Sequence, residues 1–359
     1  MIINSFFNSK PFLFIFNGES NSGGLALNSD ASPAELAVQP KLRILNNISL
    51  VVEDMQIGVN NLLGHAGIVA PQIYDCHGFE NELADNLRTN TLSIYDPKAY
   101  LLKTGQGGSL ISEWLIGNPS GYFAIFQSRL ASIRSQIGGF TPIIFLSIGI
   151  NDALAITNPV TYKANLITHI ANMRAEIGSE AIVILTQLPE TEGHIASMNE
   201  KIREVAAEVS NVYYVIGQDC QLLGVSAPDC YHWSYDGMKK ITRRMLNIVE
   251  YLFDQSFDTD AQNLINAASY TNDAIKEALN VSFRDLKGNN AYEYADAMYL
   301  QLTDIAGNNT ASLNQMKYNA VNPVDSNGAY RLTYPNGATG DFSGFQLDGL
   351  TQYAITYFK

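Results

Sequence analysis

Five short, nearly unbroken apolar runs, each followed by polar residues and then by a stretch of helical period, dominate the chain from residue 11 to residue 253. The runs are Phe12–Phe16, Ala99–Lys103, Ile143–Ser147, Ile182–Thr186 and Val212–Ile216. A strand with one buried face alternates apolar and polar residues, whereas continuous apolar runs belong to strands covered on both faces, as in parallel sheets. Gly78–Arg88, Tyr122–Ile137, Tyr162–Ile177, Glu192–Ser210 and Asp236–Phe253 supply covering helices; in the fourth, Ile195, Met198, Ile202, Val205 and Val209 recur at helical spacing. This βαβα order predicts a single three-layer α/β domain with a mostly parallel sheet over residues 1–255.

Beyond Phe253 the texture changes. Asn, Thr, Ser, Tyr and Gly become frequent, and Ala297–Thr303, Tyr330–Tyr334 and Ala354–Phe358 read as strands separated by turns such as Asn327-Gly328 and Asn336-Gly337. Residues 256–359 are expected to form a small β-rich domain, a β-sandwich in one reading, that either binds glycan or buttresses the first domain.

With 46% hydrophobic and 16% charged residues, the composition is that of a folded globular protein. Lys and Arg total 22 against 35 Asp and Glu, a net charge of -13, which disfavours nucleic acid as a partner. The run Pro11–Phe16 falls far short of the roughly 20 apolar residues that span a bilayer. Met1–Lys10 lacks the basic start and long apolar core of a secretion signal. Cys76, Cys220 and Cys230 have neither zinc spacing nor the number for a disulfide framework. Cys220 and Cys230 either close a short loop or stay as buried thiols.

Ligands bind an open α/β sheet outside the carboxyl ends of its strands, so the polar residues after each apolar run carry the most information. Asn17-Gly18-Glu19-Ser20-Asn21-Ser22-Gly23-Gly24 follows the first run, Thr104-Gly105-Gln106-Gly107-Gly108-Ser109 the second and Gly149-Ile150-Asn151-Asp152 the third. Asp229-Cys230-Tyr231-His232-Trp233 precedes the last helix. Singly, each has a plain explanation: turn chemistry for Ser20, a tight connection for Gly107-Gly108, a helix cap for Asn151-Asp152, a half-buried imidazole for His232. Together they hold the parts of a nucleophilic centre. A serine is a weak nucleophile until a base takes its proton, and the base needs a third group to fix its tautomer. His232 and Asp229, three residues apart, can meet within one loop. Charge developing on an acyl oxygen needs preorganised donors, which the backbone N–H of Ser20, that of Gly107 or Gly108, and the Asn151 amide can supply.

In residues and order, Gly18-Glu19-Ser20-Asn21, Gly107-Gly108, Gly149-Ile150-Asn151-Asp152 and Asp229-Cys230-Tyr231-His232 resemble the four blocks of the SGNH hydrolases. Asn21, the stretch His77–Ala84, and Lys103–Ser109 with Trp114 resemble the sialate O-acetylesterase and acetylxylan esterase branch of that superfamily. Glu19 departs from the Gln usual before the serine there and from the Asp of lipase-like members. The resemblance covers residues 11–253. It implies a three-layer α/β/α, flavodoxin-like SGNH-hydrolase fold and ester hydrolysis through an acyl-enzyme, without cofactor or metal. Ser20 would be the nucleophile, His232 the base and Asp229 its partner, with Ser20, Gly107, Gly108 and Asn151 around the oxyanion. It also implies an acetylated carbohydrate as substrate and an extracytoplasmic or secreted setting. Glu19, Asn21, His77, Glu80, Gln106 and Trp233 are then candidates to contact that substrate.

Other readings compete. A lipase-like or thioester-cleaving hydrolase uses the same centre, and an inactive carbohydrate-binding module the same fold. Glu19 and Asp152 could be the paired carboxylates of a glycosidase, although that leaves Ser20, Asn151 and the Asp229–His232 pair without a role. Asp75-Cys76-His77 lacks the second ligand pair of a metal site. Tyr231, Trp233 and Trp114 serve either as a sugar-stacking wall or as core.

Overall fold

The computed structural model describes residues 10–61, 75–89, 99–190, 193–253, 339–341 and 344–346. The chain divides into two compact units, Met1–Phe253 and Asp254–Lys359. In the second unit, Thr339–Asp341 and Gly344–Gln346 pair as an antiparallel ribbon. The other strands expected there, Ala297–Thr303, Tyr330–Tyr334 and Ala354–Phe358, lie outside the described residues.

The first unit runs β1 (Phe12–Gly18), α1 (Ser20–Gly23), β2 (Ala26–Leu27), α2 (Pro33–Leu36), β3 (Gln39–Leu45), β4 (Val52–Met55), β5 (Cys76–His77), α3 (Glu80–Thr89) and β6 (Ala99–Gly105). It continues with α4 (Tyr122–Ile137), β7 (Thr141–Ser147), α5 (Ile150–Leu154), α6 (Pro159–Ile177), β8 (Ile182–Thr186), α7 (Gly193–Glu208), β9 (Val212–Val215) and α8 (Tyr235–Phe253). Seven strands form one sheet in the order β4-β3-β6-β1-β7-β8-β9, in which only the β3–β4 pair is antiparallel. This is a mixed, mostly parallel α/β sheet of the SGNH-hydrolase type.

Period-two alternation divides each central strand between two cores. Leu13 and Ile15 of β1, Ile144 and Leu146 of β7 and Val183 and Leu185 of β8 pack with α4, α6 and α7. Phe14 and Phe16, Ile143 and Phe145, and Ile182 and Ile184 point the other way, onto α3 and α8. Two covered faces account for the unbroken apolar runs and make the domain a three-layer sandwich.

All five expected strands are present, but β3 and β4 are additional. Pro40, Lys41 and Arg43 interrupt β3, and β4 is four residues with Glu53 and Asp54 at its centre, the composition of an outer strand that need not be apolar on both sides. Helix α6 starts three residues before the expected Tyr162, because the Asn158 side chain caps the Val160 N–H and Pro159 occupies the first turn. Cys76, Cys220 and Cys230 are buried thiols, and no disulfide joins Cys220 to Cys230. Among the described residues no helix is long and apolar enough to cross a membrane.

Candidate active site

Strands β6, β1 and β7 are neighbours, so the loops after them leave the sheet side by side, bringing Gly107, Ser20 and Asn151 to one edge. The turn after β1 is tight. Glu19 N donates to Ser147 O at 2.8 Å, and Gly18 has φ +126°, where a Cβ would lie 1.9 Å from that same oxygen; only glycine fits. Ser20 then opens the one-turn helix α1.

The fourth loop, after β9, is anchored before it reaches the site. The fully buried Arg244 of α8 donates to Ile216 O at 2.6 Å and to Asp219 Oδ1 at 2.6 Å, and Trp233 Nε1 donates to Gly217 O at 3.3 Å. Asn21 completes the attachment: its Nδ2 donates to Tyr231 O at 2.8 Å, and its Oδ1 accepts from Trp233 N at 3.3 Å. The residue after Ser20 thus holds both backbone neighbours of His232.

Ser20 Oγ lies 2.9 Å from His232 Nε2. Asp229, exposed and adjacent to Gly224, acts on the ring through its charge, and the backbone of Pro228 pulls in the same direction. The three-residue spacing led to the expectation that the Asp229 carboxylate folds back onto the ring; what the geometry gives is its charge nearby. Burial lowers the imidazole pKa below its ordinary 6.5, against the opposing pull of Asp229 and Pro228. The ring is therefore neutral at pH 7, with Nε2 able to accept the serine proton.

Three of the expected oxyanion donors are uncommitted. The backbone N–H groups of Ser20, Gly107 and Gly108 have no acceptor among the described residues, and Gly108, at φ +77°, has open space where a Cβ would stand. Asn151 is half-buried at the start of α5, and its Nδ2 already donates to Glu19 Oε2 at 2.5 Å. An amide nitrogen carries two hydrogens, so one remains.

The residues expected to contact substrate are mostly enclosed. Glu19 is fully buried, accepting from Ile150 N at 2.9 Å and Asn151 N at 3.2 Å as well as from the Asn151 amide. Glu80, also fully buried, pairs with Lys103 Nζ at 2.7 Å and accepts from Asn61 Nδ2 and Gly78 N, both at 3.0 Å. His77 is held between Asn28 Oδ1 at 3.1 Å and Asn81 Nδ2 at 3.4 Å, with Tyr235 edge-on. Gln106 is buried, its N donating to Gly18 O at 2.8 Å. Trp233 is core: it packs near Phe79, and a Cβ on Gly217 would lie 2.9 Å from its ring. Trp114 and Tyr231 are likewise buried, in the other core. These side chains support the site from beneath and present no stacking wall.

One rival reading loses its geometry. Asp152 is buried, its Oδ2 accepting from Ile111 N at 2.9 Å, so neither it nor Glu19 faces a substrate as a glycosidase carboxylate must. Among the described residues no three His, Cys, Asp or Glu side chains converge as metal ligands would. Asp219 and Arg244, which sequence reasoning passed over, and Lys103, which it gave no role of its own, anchor the loops through buried bonds. A lysine inside an otherwise apolar run is the readable signal, since such a charge needs a buried partner.

Residues 10–250 match the family described as carbohydrate esterase, sialic acid-specific acetylesterase. No curated protein matches the sequence significantly. Among solved structures, a protein from Arabidopsis thaliana superposes with a TM-score of 0.53 at 19% identity, over 68% of this chain and 99% of its own. NanS does so with a TM-score of 0.52 at 12% identity, over 70% and 99%. At these identities the likeness is one of fold.

Proposed function

Given that the chain belongs to the sialic acid-specific acetylesterase family of carbohydrate esterases, and is thus a carboxylic ester hydrolase that removes O-acetyl groups from carbohydrate, we propose that Ser20, His232 and Asp229 carry the reaction. His232 Nε2 takes the Ser20 proton as Oγ attacks the ester carbonyl carbon. The oxyanion accepts from the N–H of Ser20, from that of Gly107 or Gly108, and from the Asn151 amide. The imidazolium, stabilised by the Asp229 charge and the Pro228 backbone, then gives its proton to the departing sugar oxygen, leaving the acetyl group on Ser20. Water, losing a proton to His232, attacks the acyl carbon; acetate leaves and the proton returns to Ser20.

The observation that carries this reading is the 2.9 Å contact between Ser20 Oγ and the ring of His232, residues 212 apart in sequence. An O-acetylated sialic acid is the first substrate to test, with acetylated xylan and other acetylated glycans beside it. All the residues named lie within 1–255, which supports reading that part as the esterase domain and 256–359 as an accessory domain.

Acetate release from p-nitrophenyl acetate and from the glycan panel, with chelator present, provides the test. Ser20→Ala and His232→Ala should each lose about 10³–10⁶ in kcat, and Asn151→Ala roughly 10²–10³. Turnover by folded Ser20→Ala within about tenfold of the parent enzyme excludes Ser20 as nucleophile.

A further inference from the structure

We infer that Glu19 is a positioning residue, whose ionised carboxylate aims the Asn151 amide at the oxyanion by holding its other hydrogen and the adjoining backbone. This rests on Asn151 being an oxyanion donor. A primary amide turns freely about its last torsion, and a donor that must reorient at the moment of reaction loses most of its electrostatic value. Here one bond holds the amide and two hold the backbone that carries it: Glu19 Oε2 accepts from both Asn151 Nδ2, at 2.5 Å, and Asn151 N, at 3.2 Å, while Oε1 accepts from Ile150 N at 2.9 Å. Glu19 is itself immobile, because its own N–H is bonded to Ser147 O and its side chain is sealed from solvent.

The partners are all N–H donors, so the charged form suits them. A protonated carboxyl would place its own O–H among three donors and weaken one bond. The titratable groups facing Glu19 are Asp152 on α5 and Tyr162 on α6, which donates its hydroxyl to Ile148 O at 2.8 Å. Burial raises the Glu19 carboxyl to about 8, the bonds from Ile150 and Asn151 lower it, and the Asp152 charge raises it again. As pH rises through that range Glu19 ionises and the tether tightens.

The test is a double-mutant cycle on p-nitrophenyl acetate, followed against pH, with Glu19→Gln, Asn151→Ala and the double variant in the full chain. Glutamine keeps the shape and one acceptor oxygen but cannot ionise. The expected result is a kcat about tenfold lower for Glu19→Gln at pH 9, with KM within about threefold, loss of the rise in kcat near pH 8 and no change in the lower, histidine limb. In the Asn151→Ala background the same substitution should cost less than about twofold, since residues that act through one another are not additive. An equal tenfold loss in both backgrounds, or a kcat profile for Glu19→Gln that keeps the upper rise, overturns the inference. Asn151→Ala within about threefold of the parent enzyme overturns instead the oxyanion role beneath it.

Discussion

Asn21 binds the chain on both sides of His232, so the distance between the proposed nucleophile, Ser20, and its proposed base depends on one amide. Replacing it by alanine removes the donor to Tyr231 O and the acceptor for Trp233 N, and a buried group left without its partner costs about 1–3 kcal/mol. Asn21→Ala should lose stability by that amount in urea unfolding. Its kcat should fall roughly 10–100-fold while KM stays within about threefold, because small displacements of a reacting pair are costly. At the same scale, the His232 ring must be neutral to accept a proton. Its pKa is lowered by burial against Asp229 and Pro228, so activity should switch off only as pH falls through a midpoint below the ordinary 6.5. A kcat/KM limb centred above 6.5 would show that another group governs the acid side.

Among the secondary-structure elements, what could be read from sequence followed burial on both faces. Phe12–Phe16 and Ile182–Thr186 announce themselves because both sides of each strand meet helices; Val52–Met55 does not, since an outer strand tolerates Glu53 and Asp54, and Gln39–Leu45, between β4 and β6, is broken up by Pro40, Lys41 and Arg43. The site was legible in the same uneven way. Ser20, Gly107, Asn151 and His232 stand at predictable strand ends, but Glu19 bonds to residues 131 and 132 positions away, and nothing local distinguishes a carboxylate facing substrate from one facing Asn151. Lys103 shows the same dependence on distant neighbours. It is fully buried in β6 against Glu80 at the start of α3; burial opposes the Glu80 charge, but Lys103, the Asn61 amide and His77 together outweigh it, holding that carboxyl below its usual range. Lys103→Met, stranding the carboxylate, should destabilise the protein by about 3–5 kcal/mol, and adding Glu80→Met should recover most of that loss. Denaturant titration of the three proteins measures both numbers.

For the molecule as a whole, every side chain of the proposed reaction belongs to the unit that ends at Phe253. A chain cut after residue 255 should therefore fold and hydrolyse p-nitrophenyl acetate with kcat within about threefold of the full-length protein, as expected of a domain with its own core. Loss of activity without loss of the folded domain would assign residues 256–359 a part in the chemistry.

Parallel strand order has a temporal consequence. Ser20 stands at the end of the first strand of the sheet and His232, its proposed base, in the loop after the last, 212 residues later. At typical rates of translation that interval takes about 10–40 s. Throughout it the growing polypeptide carries Ser20 without His232, and on the proposed mechanism a chain that ends before residue 232 is unable to cleave an ester. The proposed pair is thus completed in a single late step in the synthesis of the first unit, long after the strand that carries Ser20 has been made.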